Sequence, residues 1–390
     1  MSIYIETAFE SLNKFGEELC GDKVEILKSA DSVIIVLADG LGSGVKANIL
    51  ATLTSKIIAS MLGAGAEIEE CVETIASTLP VCHERGIAYS TFSILQIRYS
   101  GEVYLIEFDN PSVIYIKNQK IAPVERKIRS IGDKEIGESR FSIDPGDMLL
   151  LFSDGVVHAG VGKLLNLGWQ YENIEEYVGK AVKNDTTART LARQLVSACD
   201  CLYLQKPGDD TTVVAVRVCR PLEVCVMVGP PVDPSLDQEV VDKLMACPGK
   251  RVACGGTTSQ IVSRITGKEL KVSFEYYNAA VPPTGSIEGL DLATEGVLTL
   301  GRALDLVKAY GAPGTQNGES LNLQKKDGGT RLARLLLEES TRVCFLVGRA
   351  MNPAHQNPDL PISLSLKLKL VEELAQELEK MGKDVFVEYY

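Results

Sequence analysis

Apolar positions follow two rhythms along this chain of 390 residues, and the change between them falls near Arg220-Pro221. Before that point, short apolar runs bounded by Gly, Pro and Asn turns predict strands over residues 32–38 (SVIIVLA), 91–97, 103–108 and 112–116. Residues 141–152 read as a strand pair with its turn at Asp144-Pro145-Gly146-Asp147, and residues 212–218 as a further strand. Helical spacing marks residues 43–62, with Ser43 as the cap, and residues 68–79, 174–182 and 187–201. Strands in runs followed by helices in runs favour a layered α+β unit.

Beyond Pro221 strand and helix take turns. Strands are predicted over residues 224–228, 251–254, 271–276, 342–347 and 384–388. Helices are predicted over 237–247, 258–266, 292–310, 331–339 and 364–381, with a loop over 317–329. Alternation of this kind predicts an α/β domain with a mainly parallel sheet. The chain therefore reads as two domains, 1–220 and 221–390.

Composition narrows the classes. An apolar content of 45% supports substantial cores, and a net charge of −12 argues against nucleic acid or an anionic membrane surface as partner. The first residues, MSIYIETAFESLNKFGEEL, carry acids and lack the basic-then-apolar layout of a secretory signal. No long uncharged apolar stretch stands out, so the expectation is a cytoplasmic protein. Ten cysteines include no C-x-x-C pair, and most sit in apolar runs, which predicts structural thiols.

Acids punctuate the first domain at strand ends: Gly21-Asp22, Asp39-Gly40 after SVIIVLA, Asp154-Gly155 after MLLLFS, and Asp209-Asp210 before TTVVAVRV. One Asp-Gly is ordinary turn chemistry. Repeated at strand ends that share a sheet edge, the carboxylates converge into a set of hard oxygen ligands suited to Mg²⁺ or Mn²⁺. In order, spacing and strand context these motifs resemble the metal-dependent protein phosphatases related to protein phosphatase 2C, in the bacterial branch typified by the sporulation stage II phosphatase E. The resemblance covers about residues 10–218. It rests on Gly21-Asp22, on Asp39-Gly40-Leu41-Gly42-Ser43-Gly44 before a helix, on Pro145-Gly146-Asp147 leading to Ser153-Asp154-Gly155, and on Asp209-Asp210-Thr211-Thr212. Leu41 stands where eukaryotic relatives usually carry a His, which leaves the general acid open.

The resemblance implies a β-sandwich flanked by helices and a serine/threonine phosphatase acting on a phosphorylated protein. It implies two Mn²⁺ or Mg²⁺ ions, about 3.5–4 Å apart in sites of this kind, that activate water for direct attack. It places Asp39, Asp154 and Asp209 as the catalytic residues, with Asp39 as the bridging ligand, the Gly40 carbonyl as a ligand, Asp154 and Asp209 on one ion, and Asp22 toward the other. Asp210 and Gly155 fall to support. Gly40 is expected to leave room for an ion or water. Among the histidines only His158 lies near this set in sequence, and His83 and His355 lie far from it.

Residues 221–390 resemble no family. The strand-to-helix turn at Gly255-Gly256-Thr257-Thr258 could aim backbone N–H groups at a small anionic ligand, or could be a tight turn with a capped helix. The loops at Gly229 and Gly348 would join it at one sheet edge if the sheet is parallel. The leading expectation is a phosphatase with a C-terminal regulatory or sensing domain, forming a homodimer or not. The rivals are a degenerate phosphatase-fold scaffold, or a C-terminal enzyme regulated by the first domain.

Overall fold

The computed structural model describes residues 3–78, 81–82, 87–88, 90–131, 134–272, 284–311, 323–350 and 366–390. The chain divides into two compact units, Met1–Arg220 and Pro221–Tyr390. In the first, β1 (Tyr4–Leu12), β2 (Asp22–Lys28) and β3 (Ser32–Gly40) lead to α1 (Gly44–Gly63) and α2 (Ile68–Thr78). Then come β4 (Val81–Cys82), β5 (Ile87–Ala88), β6 (Ser90–Arg98), β7 (Glu102–Phe108), β8 (Ile114–Lys117), β9 (Lys120–Ala122), β10 (Lys127–Ile131), β11 (Lys134–Ser142) and β12 (Met148–Phe152). The unit closes with α3 (Asp154–Val157), α4 (Tyr171–Ala181), α5 (Ala188–Leu202) and β13 (Thr211–Cys219).

Two antiparallel sheets, ordered β1-β13-β12-β8-β9 and β10-β11-β7-β6-β3-β2, pack face to face. Strand β3 shows why its sequence has no polar alternation. Val33, Ile35 and Leu37 point into the core between the sheets with Leu95, Leu149 and Val214. Ile34, Val36 and Ala38 point the other way, under α1 and α2, with Ala51, Ile58 and Val72. On the outer face of the other sheet, Leu150, Phe152 and Val213 pack under α4 and α5 with Ile174, Leu191 and Leu195. Each such buried Val, Ile, Leu or Phe side chain contributes roughly 1.5–3 kcal/mol, and the result is a helix–sheet–sheet–helix sandwich.

Residues 141–152 are a correction to the predicted strand pair. β11 pairs with β7 and β12 with β8 and β13, so the Asp144–Asp147 turn carries the chain from one sheet to the other. Buried Asp147 holds that crossing: its Oδ2 accepts from Tyr115 Oη at 2.7 Å and from the Asp144 amide at 3.0 Å. Ser43 does take the position before α1 but caps nothing, its hydroxyl donating instead to Glu17 at 3.1 Å. Among the described residues α1 is long and apolar enough to span a membrane by length and composition alone, a test that core helices also pass. Here Ala47, Ala51, Ile58 and Leu62 are buried and Val45, Ile49 and Leu53 exposed.

The second unit runs β14 (Glu223–Val228), α6 (Asp237–Ala246), β15 (Lys250–Cys254), α7 (Gly256–Thr266), β16 (Lys271–Val272), β17 (Gly285–Ser286) and β18 (Leu292–Thr294). It continues with α8 (Val297–Gly311), α9 (Gly328–Leu337), β19 (Arg342–Val347), α10 (Leu366–Lys380) and β20 (Asp384–Tyr389). Strands β18-β15-β14-β19-β20 are parallel, and β16 and β17 add an antiparallel edge. Helices α8, α9 and α10 cover one face and α6 and α7 the other. The predicted helix over 292–310 begins instead as β18, because Ala293 and Thr294 complete the ladder beside β15 and Glu295-Gly296 separates strand from helix. Gly328 and Gly329, predicted as loop, open α9, where the Asp327 side chain caps Thr330 N. The expected strand end at 273–276 and the loop residues 317–322 lie outside the described residues.

Candidate metal centre

Strand pairing brings the first two acids together. Asp22 opens β2 and Asp39 nearly ends β3, and the antiparallel register sets them opposite one another. Asp154 follows β12 as the first residue of α3, and Asp209 precedes β13. Burial first, then the charges of Asp22, Asp154 and Asp209, hold the Asp39 carboxyl well above the usual carboxylate range. Burial likewise raises Asp22, with Asp210 and Asp154 adding to it, and raises Asp209, with Asp154 next. The predicted ligand acids therefore feel one another.

Each acid has its own support. Ser153 Oγ donates to Asp22 Oδ2 at 2.7 Å while accepting from the Thr212 amide at 2.9 Å. Asp22 Oδ1 is left buried without a partner. Asp210 is 4% exposed; its Oδ1 accepts from the Lys14 amide at 2.9 Å, and its Oδ2 is also buried and unpartnered. Asp209 is more open than Asp210, with Lys14 Nζ 3.9 Å from its Oδ1. Asp39 has its backbone carbonyl bound by Ser90 Oγ at 2.9 Å. Two orphaned buried carboxylate oxygens are costly, and divalent cations relieve that deficit. The donor set fits such ions in chemistry, although among the described residues no three His, Cys, Asp or Glu side chains close into a finished metal cluster.

The glycines are fixed by close backbone contacts. A Cβ on Gly40 would lie 2.1 Å from the Ala47 carbonyl oxygen, so the close approach of α1 requires glycine there. At Gly155 a Cβ would lie 2.0 Å from the Asp210 carbonyl oxygen, and Tyr203 Oη donates to the Gly155 carbonyl at 2.7 Å. Both Asp-Gly corners are thus locked to neighbouring backbone.

Ser153 has no role in the pattern of acids, and only its place directly before Asp154 marks it in the sequence. Ser153→Ala would remove the hydroxyl that donates to Asp22 Oδ2. Expected is a roughly tenfold or greater loss of Mn²⁺ affinity with the fold retained, read by titrating metal-dependent turnover and circular dichroism.

Beside Asp154 opens a cavity of about 530 Å³, lined among others by Asn110, Arg126, Val157, His158 and Tyr171. His158 Nδ1 lies 3.7 Å from Asp154 Oδ2. His83 and His355 lie outside the described residues.

Residues 29–219 match the family described as stage II sporulation protein E (SpoIIE). No curated protein matches the chain. Among solved structures it is similar to the phosphatase domain, with a fragment of the regulatory domain, of SpoIIE from Bacillus subtilis. That match has 20% identity and a TM-score of 0.49, and it covers 56% of this chain and 64% of that one, under two thirds. The RsbU and RsbW domains of Rv1364c from Mycobacterium tuberculosis match at 15% identity over 69% of this chain and 71% of that one, with a TM-score of 0.47. RsbX in complex with magnesium matches at 18% over 55% and 98%, with a TM-score of 0.39.

The other predicted site lies in the second unit. Gly255 has φ +128, its amide bonds the Thr294 carbonyl at 2.8 Å, and Thr258 Oγ1 accepts from Gly229 N at 2.9 Å. The Glu295 carboxylate faces Gly256, 3.3 Å from where a Cβ would stand. The chain's own acid thus stands at the start of α7, beside Thr257 and Thr258.

Proposed function

We propose that this chain is a metal-dependent protein serine/threonine phosphatase that hydrolyses phosphoserine or phosphothreonine by direct attack of water. The observation that carries the reading is the crowding of Asp22, Asp39, Asp154 and Asp209 at one edge of the sandwich, with buried Asp22 Oδ1 and Asp210 Oδ2 unpartnered. Asp39, Asp154, Asp209, Asp22 and the Gly40 carbonyl would hold Mn²⁺ or Mg²⁺, two ions on the family pattern. When bound, such ions lower the pKa of a coordinated water and offset charge on the phosphoryl oxygens. The chain's own residues do the rest. Ser153 fixes the Asp22 carboxylate, the two glycine corners set the backbone, and the cavity beside Asp154 receives the side chain that bears the phosphate. His158, on its wall, is the side chain placed to give a proton to the departing alkoxide.

The test is hydrolysis of p-nitrophenyl phosphate and of a phosphothreonine peptide by the full chain with Mn²⁺ or Mg²⁺, then with chelator. Turnover that needs the metal supports the reading. No turnover with either ion in a folded protein would favour the scaffold reading instead.

For residues 221–390 a regulatory role is proposed, with a small anion at Gly255–Thr258. The parallel order sets this turn at the carboxyl edge of the strands, as it does the loops at Gly229 and Gly348. A thermal-shift screen of nucleotides and phosphorylated metabolites checks it. If Glu295 competes for that position, Glu295→Gln should enlarge any shift; an unmoved melting temperature in both proteins counts against the site.

A further inference from the structure

Cysteines read from sequence as scattered core thiols include one pair that the fold sets side by side. In the parallel β14–β19 ladder Cys225 is the register partner of Cys344, so both side chains leave the sheet on the same face. Neighbouring strands lie about 4.8 Å apart, within the roughly 4.4–6.8 Å Cα separation over which a disulfide closes. Both cysteines are free thiols.

The two differ in access. Cys225 is 4% exposed in the core beneath α6 and α7, whereas Cys344 is half-buried at its margin. The next strand outward is the edge strand β20, and there Phe386, in register with Cys344, is 52% exposed. That sheet face therefore opens to solvent beside Cys344. The adjacent Cys225 thiol holds Cys344 below its ordinary pKa, against burial and the charges of Glu388 and Glu223, with Lys243 assisting. Cys344 and then burial push Cys225 up. Cys247, the third thiol nearby, is engaged with the Lys250 carbonyl at 3.7 Å.

We propose that Cys225 and Cys344 form a peroxide-responsive dithiol, with Cys344 as the attacking sulfur and Cys225 as the resolving one. The Cys344 thiolate attacks one oxygen of hydrogen peroxide; the O–O bond breaks, hydroxide leaves and takes up a proton, and Cys344 becomes a sulfenic acid. The Cys225 thiol then attacks that sulfur, releasing water and closing a disulfide. In total two thiols and one peroxide give one disulfide and two waters. A bridge between adjacent strands of one sheet is constrained by the ladder, and constrained bridges are the readily reduced, regulatory kind. This reading is independent of the phosphatase chemistry in the other unit.

The experiment treats the native full chain with limiting hydrogen peroxide, alkylates remaining thiols, digests, and maps every cysteine by mass spectrometry. Expected is a Cys225–Cys344 linked peptide with the loss of two alkylatable thiols, restored by dithiothreitol, before the exposed Cys201 is consumed. In Cys225→Ser a dimedone probe should trap Cys344 as the sulfenic acid, and in Cys344→Ser the oxidation of Cys225 should disappear. The wild-type map decides the matter even if a variant folds poorly. Recovery of Cys225 and Cys344 as alkylated thiols after Cys201 has reacted would overturn the proposal, as would pairing of Cys344 with a different cysteine.

Discussion

Asp39→Asn is expected to remove metal-dependent phosphatase activity while making the metal-free protein more stable. Loss of an outer-shell partner costs metalloenzymes about 10–100-fold, so loss of the ligand expected to bridge both ions should exceed about a hundredfold. The amide keeps the shape but cannot supply the charge. Without metal, the same position is a liability: burial and three neighbouring acids hold the Asp39 carboxyl far above its unfolded value. Removing that strain should stabilise the chelated protein by about 1 kcal/mol at pH 8, a rise of ~3 °C in melting temperature. The sign in pH follows from the same shift. A carboxyl raised on folding keeps more protons in the native state, so its stability is fully present below the unfolded value of about 3.9. It is then lost as pH rises toward the raised folded values. Chelated wild-type protein should therefore melt lower at pH 8 than at pH 5.5, and Asp39→Asn should narrow that difference. Equal activity in wild type and variant, or a melting temperature that rises with pH in the chelated wild type, would contradict this account.

How far the sequence made this legible depends on which interactions are local. Asp39 and Asp154 were visible because each ends a strand buried on both faces, where a carboxylate at the boundary is conspicuous. The pairing of Asp22 with Asp39 also follows from short-range logic, since β2 and β3 form a hairpin around Ser29–Ser32. The exchange of sheets at Asp144–Asp147 was not legible, because a Pro-Gly turn between two strands looks the same whether they pair or part. Nor was β18: Leu292 to Thr294 are apolar or small and continue directly into the apolar spacing of α8, and only the neighbouring strand β15 draws them into a ladder. The approach of Ser153 to Asp22 and the register of Cys225 with Cys344 join segments far apart in the chain. No pattern within one segment encodes such contacts.

Gly40→Ala should disable the domain in a different way, by separating α1 from the corner that holds Asp39. The added Cβ would stand 2.1 Å from the Ala47 carbonyl oxygen and 2.7 Å from its carbon, and both are backbone atoms of α1. A flexible side chain could turn aside, but a helix carbonyl moves only if the helix moves. Ala47 and Ala51 are fully buried there, so displacement of α1 also opens the core beneath it. Overpacking of this kind costs about 3 kcal/mol. Gly42→Ala is the matched control two residues on. Its Cβ would meet nothing within 4 Å, and only its φ of +104 opposes a side chain, at a cost of about 1–2 kcal/mol. Denaturant midpoints should therefore fall further for Gly40→Ala than for Gly42→Ala. At a denaturant-free pH where both remain folded, only Gly40→Ala should also need much more Mn²⁺ for half-maximal turnover, because its strain is applied at the Asp39 backbone itself. If the two variants lose equal stability and keep equal metal affinity, the contact between Gly40 and α1 is ordinary packing and does not position the site.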